Sequence, residues 1–206
     1  MATATASKNG RAPKRGRPSA ASRSDVIRAV SEQYLRGERV DVTVVARRLG
    51  VSRATIYRWF GSRERLLGEV IASQLELLIA RQRRRERRRG ADGLLAVFDR
   101  INRSLAQSFA LRRLLEQERG SAMRILTSST GIVQPRAVAR VEALICTEVT
   151  AGRYQAPAES STLAYAIVRL AEAFLYNDAA SGIRGDHERL REVEAALLGI
   201  PIKGNH

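Results

Sequence analysis

The chain has 206 residues, enough for one core-bearing domain and a small second one. Its 36 Lys+Arg against 21 Asp+Glu give +15, and only Lys8, Lys14 and Lys203 are lysines. A single cysteine (Cys146) excludes a disulfide framework or Cys-rich zinc site, and no apolar run approaches the ~20 residues of a membrane span.

Charge is divided unevenly. Residues 1–90 hold 22 basic and 8 acidic side chains, whereas residues 91–206 hold 14 and 13. A polyanionic partner is therefore expected at the N-terminal half alone. The N-terminus is basic, but no apolar segment follows it, so a secretory signal is not expected. The expectation is a soluble, intracellular, reduced protein that uses no membrane, metal or cofactor. His187 and His206 leave little for a His-based site.

Residues 1–22 read as a disordered basic arm of Ala, Thr, Ser, Gly and Pro. From Ser24 the apolar spacing turns helical through Val26, Ile27, Val30, Tyr34 and Leu35, and Gly37 ends the run. Asp41 caps a short second helix with Val42, Val45, Ala46 and Leu49 on its inner side, and Gly50 breaks it. Ser52 caps a third carrying Ile56, Trp59 and Phe60. Ser62 caps a fourth through Leu66, Leu67, Val70, Ile71, Leu75 and Leu78.

That fourth helix is expected to run into the basic stretch Arg81–Arg89 and to end at Gly90. The stretch reads as a solvated helix end suited to the C-terminal dipole. The alternative is a phosphate-facing surface or a basic domain junction. Beyond Gly93 one stripe runs from Leu94 to Phe109, and a segment from Leu111 to about Ser128 is bent at Gly120. Pro135 opens a helix that Gly152 closes. The most apolar helix spans about Ser161 to Ala180, ended by Gly182, and the last runs from about His187 to Leu198. No alternating run reads as a strand, so the fold class is all-α.

Residues 42–61 fit a helix-turn-helix. The turn needs a residue tolerant of the left-handed region, and Gly50 supplies it. The helix crossing needs a small residue, and Ala46 supplies that. Val45, Leu49, Val51, Ile56 and Trp59 fill the five positions that should be buried between the helices. Ser52, Arg53, Thr55, Tyr57 and Arg58 remain outside, all hydrogen-bonding residues, as a helix entering a major groove requires.

At these residues the chain resembles the TetR family of bacterial transcriptional repressors. Asp41 to Leu67 carries the resemblance through Ala46, Gly50-Val51-Ser52, Ile56-Tyr57, Phe60 and Leu66. Where the family usually has Thr, His or Tyr, and Lys, this chain has Asp41, Trp59 and Arg63. Asp41 keeps the capping chemistry and Arg63 keeps the cation, while Trp59 keeps a donor and loses any acceptor. The resemblance implies homodimers paired through the last two long helices, inverted-repeat operators in double-stranded DNA, and an effector pocket in the C-terminal domain. Ala173-Phe174-Leu175-Tyr176-Asn177-Asp178 and Gly182 are further similar to QsdR-like regulatory domains.

The division expected is a basic arm over 1–22, a helix-turn-helix domain with its connecting helix over 23–90, and a helical effector-binding and dimerisation domain over 91–206. Ser52, Arg53 and Thr55 are the groove-facing candidates, with a phosphate contact as the alternative for Arg53. Tyr57, Trp59 and Arg63 are candidates for phosphate anchoring, with core packing as the alternative for Trp59. Arg15 and Arg17 flank Gly16 as in the core of an AT-hook, whose glycine lets arginines follow a narrow minor groove; the alternative is unspecific charge.

Phe98, Tyr165, Arg169, Glu172, Tyr176 and Asn177 are the effector-pocket candidates, polar or aromatic groups among apolar neighbours. Arg169 reads equally as half of an ion pair at a dimer seam, and Tyr165 as packing. No nucleophile, phosphate loop or carboxylate cluster suggests an enzyme. The leading expectation is a ligand-responsive dimeric repressor of cytoplasmic, nucleoid-associated location. Its rival is a DNA-binding architectural protein without a ligand switch.

Overall fold

The computed structural model describes residues 21–177 and 187–201. Within them lie ten α-helices, one π-helical turn and no strand. Three short helices lead: α1 (Arg23–Leu35), α2 (Val42–Leu49) and α3 (Arg53–Phe60). Each begins at an oxygen-bearing side chain that meets N–H groups left orphaned by the first turn. Ser22 and Asp25 form a reciprocal capping box on α1. Asp41 accepts from Thr43 N at 2.7 Å and Val44 N at 3.3 Å, and Ser52 Oγ accepts from Thr55 N at 3.0 Å. Gly50 turns the chain between α2 and α3 at a φ of 66°, a conformation that costs glycine nothing sterically.

Ser62 then caps α4 (Arg63–Arg85), whose 23 residues make it roughly 35 Å long. The remaining helices are α5 (Gly90–Ala106), α6 (Phe109–Gln117), α7 (Arg119–Thr127), α8 (Val133–Thr150), α9 (Ser160–Glu172) and α10 (His187–Leu197), with the π turn Ala173–Asn177 after α9. Two apolar cores share α4. The first joins Val26, Val30, Val45, Ile56 and Leu66 to Leu111, Leu126 and Tyr176. The second joins Ile79 to Phe98, Ile145, Leu163, Ile167 and Leu198. No helix among the described residues is long and apolar enough to cross a membrane.

Besides the Leu94–Phe109 stripe, which ends at Ala106 with Phe109 opening α6, and α8, which begins at Val133 ahead of Pro135, three boundaries differ from the sequence reading. First, α4 stops at Arg85, not Gly90, because Glu86 leaves helical geometry at φ −86° and ψ 125°. Its carboxylate turns inward, accepting from Arg88 N at 2.8 Å and pairing with Arg100 at 2.7 Å. Gly90 opens α5 rather than closing α4, its N–H donating to buried Glu148 at 2.9 Å. The basic stretch is thus partly a junction. Arg83 reaches Glu148 at 2.7 Å and Arg88 reaches Glu86 at 3.0 Å, while Arg81, Arg84, Arg85 and Arg87 stay exposed.

Second, the segment expected to bend at Gly120 divides at Glu118 into α6 and α7, with Glu118 at φ −141° and ψ 44°. The side chain of Glu118, at the break, is bonded to Arg63 on α4. Third, the apolar helix gives way to the π turn after Glu172, well before Ala180. Ala180 and Gly182, the expected end and stop, lie outside the described residues.

Candidate nucleic-acid interface and inner cavity

The helix α3 buries one face and offers the other. Ile56 is fully buried and Phe60 nearly so, seated in the first core with Val45 and Leu66. The guanidinium of Arg23 lies 4.7 Å from the Phe60 ring centroid and also pairs with Glu69, pinning α1 over the end of α3. Ser52, Arg53, Tyr57 and Arg58 are exposed, and Thr55 and Trp59 are half-buried. Trp59 packs against the first core. The Ser52 and Thr55 hydroxyls lie 2.9 Å apart, so the pair that starts the helix is already mutually bonded. Arg53 and Tyr57 carry no hydrogen bond among the described residues, which leaves their polar ends available.

Arg63, expected at the phosphate backbone, is engaged inside the molecule. Its two terminal nitrogens donate to both Glu118 oxygens at 2.7 and 2.6 Å, and Nε donates to Val40 O at 2.8 Å. The geometry is the two-point fork that arginine and carboxylate favour. Neighbouring links join the same elements: Ser121 Oγ donates to Glu64 at 2.6 Å, and Arg124 pairs with that carboxylate at 2.8 Å. The Ser121 hydroxyl and then Arg124 hold the Glu64 carboxyl below its ordinary range. The start of α4 is thereby fastened to the α6–α7 junction. Arg15 and Arg17 lie outside the described residues.

Between the two cores lies a cavity of about 60 Å³, walled by Ile79, Phe98, Ile101, Val141 and Ile167 among others. Five polar side chains face it: Asn102 on α5, Gln134 on α8, Glu172 on α9, Tyr176 on the π turn and Glu194 on α10. Of the six residues expected there, Phe98, Glu172 and Tyr176 line it. Tyr165 is instead half-exposed on α9. Arg169 sits behind the wall, donating to Glu172 at 2.7 Å and to Thr127 O at 3.2 Å. Asn177 closes the π turn.

The sequence reading missed Asn102, Gln134 and Glu194. A signal existed for two of them: Asn102 falls in the stripe of Phe98, Ile101 and Leu105, and Glu194 lies one turn from Leu190 on a buried face. A polar group in an apolar stripe must find a partner inside. Asn102 Nδ2 donates to Glu194 Oε1 at 2.8 Å. Burial, opposed by that bond, pushes the Glu194 carboxyl up to about 7. Burial likewise raises Glu172 against the pull of Arg169, and raises the Tyr176 phenol.

A helix-turn-helix whose second helix offers an exposed polar face, joined by one long helix to a helical domain with an inner cavity, is the architecture of a transcription regulator. Residues 38–70 match the family model of bacterial regulatory proteins, tetR family, and residues 89–199 match the tetracyclin repressor-like C-terminal domain. The chain belongs to the TetR family and is a DNA-binding transcriptional regulator. Among solved structures, the R. erythropolis transcriptional repressor QsdR from the TetR family is 29% identical with a TM-score of 0.83, over 89% of this chain and 97% of that one. The transcriptional regulator FadR from Bacillus subtilis, solved with stearoyl-CoA, is 17% identical with a TM-score of 0.52, over 89% of this chain and 99% of that one. That second likeness is one of fold. No curated protein sequence matches the chain.

Proposed function

We propose that the protein is a homodimeric repressor that holds an inverted-repeat operator through α3 and releases it when a small molecule fills the inner cavity. One observation carries the reading. Leu126, Val133, Leu175 and Tyr176 line the cavity and also belong to the core that seats Ile56 and Leu66 of the helix-turn-helix. A ligand that displaces this shared wall must disturb the packing beneath α3, because close-packed cores shift between discrete arrangements rather than yield smoothly. QsdR, a transcriptional repressor, supports the sign of regulation.

In this reading Ser52, Arg53 and Thr55 face the groove, and Tyr57 and Trp59 meet the phosphates. The arm over 1–22 follows the minor groove with Arg15 and Arg17. Residues 23–90 form the DNA-binding domain and 91–206 the effector and dimer domain, working in the cytoplasm on the nucleoid. Pairing is supported by large apolar side chains left outside on α9 and α10, Tyr165 at 50% and Val193 at 37% exposure.

Selection of bound duplexes from a random pool, followed by light scattering of the protein free and on DNA, tests the proposal. An inverted repeat bound by paired protomers is expected. Equal binding of all duplexes by a monomer overturns it in favour of an architectural protein.

A further inference from the structure

We propose that the effector is an uncharged amphiphile whose polar end carries both a hydrogen-bond acceptor, taken by Gln134 Nε2, and a donor, taken by Glu194 Oε2. This assignment rests on the ligand-responsive reading above and names the chemistry of its site. Gln134 is 3% exposed and Glu194 is fully buried, and both face the cavity. Gln134 Nε2 and Glu194 Oε2 are buried with no hydrogen-bond partner among the described residues. Two helices, α8 and α10, thus each hold one unmatched polar atom at the wall of one apolar space. Buried polar atoms are ordinarily matched, so a pair left open at a cavity points to a group that arrives from outside.

The charge of the lining decides which group fits. Among the described residues no arginine, lysine or histidine lines the cavity, whereas two carboxyl side chains, Glu172 and Glu194, do. Above pH about 7, where Glu194 is ionised, a carboxylate or phosphate ligand would lie beside those groups with nothing among the described residues to balance it. Arg169 does not repair this, since its guanidinium is committed to Glu172 and Thr127 O behind the wall. An ammonium would meet Glu194 but leave Gln134 Nε2 without an acceptor. It would also require a buried ion pair whose desolvation offsets most of its attraction. An uncharged amide or hydroxy-carbonyl group matches both atoms at once. Glu194 suits such a partner further, because Asn102 already holds Oε1 and leaves Oε2 open. The apolar walls, Ile79, Phe98 and Ile167 among them, take the hydrocarbon body.

Isothermal titration of the full-length protein at about pH 8.5, where Glu194 is ionised, with hexanamide, hexanoate and hexylammonium tests the assignment, because the three share a chain and differ in charge. Hexanamide is expected to bind at least about tenfold more tightly than either ion. Gln134→Leu should weaken hexanamide about tenfold, and so should Glu194→Gln, whose one carbonyl oxygen stays with Asn102 Nδ2 and puts an N–H donor where Oε2 accepted. Circular dichroism of each variant reports whether it folds. Equal or tighter binding of an ion overturns the proposal. So does hexanamide binding unchanged by Gln134→Leu, or the failure of all three probes to bind. A parallel operator titration at saturating hexanamide separates the two readings. Bound amide that leaves operator affinity unaltered overturns the effector role and leaves the chemistry of the cavity standing.

Discussion

Two arginines ten positions apart show how far one side chain's surroundings decide its work. Arg53 stands exposed at the first turn of α3 with its guanidinium uncommitted among the described residues. Arg53→Ala is expected to relax preference at one base position, by about 1–3 kcal/mol in a titration of single-base operator variants. Uniform loss across those variants would reassign Arg53 to phosphate. Arg63 is bound in a fork to Glu118, which is only 10% exposed in its side chain. Arg63→Ala and Glu118→Ala should each cost about 2 kcal/mol of stability, and the double variant no more than either alone. Loss of DNA affinity in Arg63→Ala without any in Glu118→Ala would instead restore Arg63 to the phosphates.

Ionisation at the residue scale works in two directions. Glu194 is raised to about 7 by burial, above its unfolded value, so the folded state holds its proton longer. Stability should therefore fall as pH rises from about 4.5 through about 7, by up to the order of 3 kcal/mol. Denaturant melts of the wild type and Glu194→Gln between these limits check this, and the variant should lose the slope. Glu86 and Glu148 are held down at about 2, chiefly by bonds from Arg88 and Arg153. Their contribution is present above about 4.5 and is lost as pH falls toward 2.

At the scale of elements, α4 is the part that both cores need. Its first half carries Leu66, Leu67 and Val70 into one core and its second carries Ile79 into the other. The hand-over from α4 to α5 depends on Gly90, at φ 63°, where an added Cβ would stand 2.5 Å from Arg153 O. Backbone cannot retreat as a flexible side chain can. Gly90→Ala is expected to cost about 2 kcal/mol. Calorimetry should register a fall in Tm of roughly 4–8 °C for a chain of this size. A variant melting with the wild type would mean that the junction yields easily.

For the whole molecule, charge and shape are distributed together. The N-terminal half carries nearly all of the net +15, and the cavity lies among the near-neutral C-terminal helices. Operator affinity should fall steeply with salt, because each phosphate contact releases condensed counterions. Deleting residues 1–20 removes Lys8, Arg11, Lys14, Arg15 and Arg17, so some loss is plain electrostatics. The loss is expected to be larger on operators with A·T-rich flanks, where the minor groove is narrow and its potential strongest. Equal losses on G·C-rich flanks, by fluorescence anisotropy, would reduce the arm to unspecific charge.

The sequence by itself determined α3 and its seat. Asp41, Gly50, Ser52 and Ser62 act on N–H groups and dihedrals within a few residues, so capping and turn chemistry place α2, α3 and the start of α4 without help from elsewhere. Helical periodicity likewise separated Ile56 and Phe60 from Arg53 and Tyr57. What only the tertiary structure decided spans long separations. Arg63 meets Glu118 across 55 positions, at the residue where α6 gives way to α7. Asn102 meets Glu194 across 92, and the cavity they share with Gln134 draws on helices remote in sequence. A cap is written in neighbouring residues. A cavity is what remains when distant helices pack, and its polar groups declare themselves only by the partners they lack.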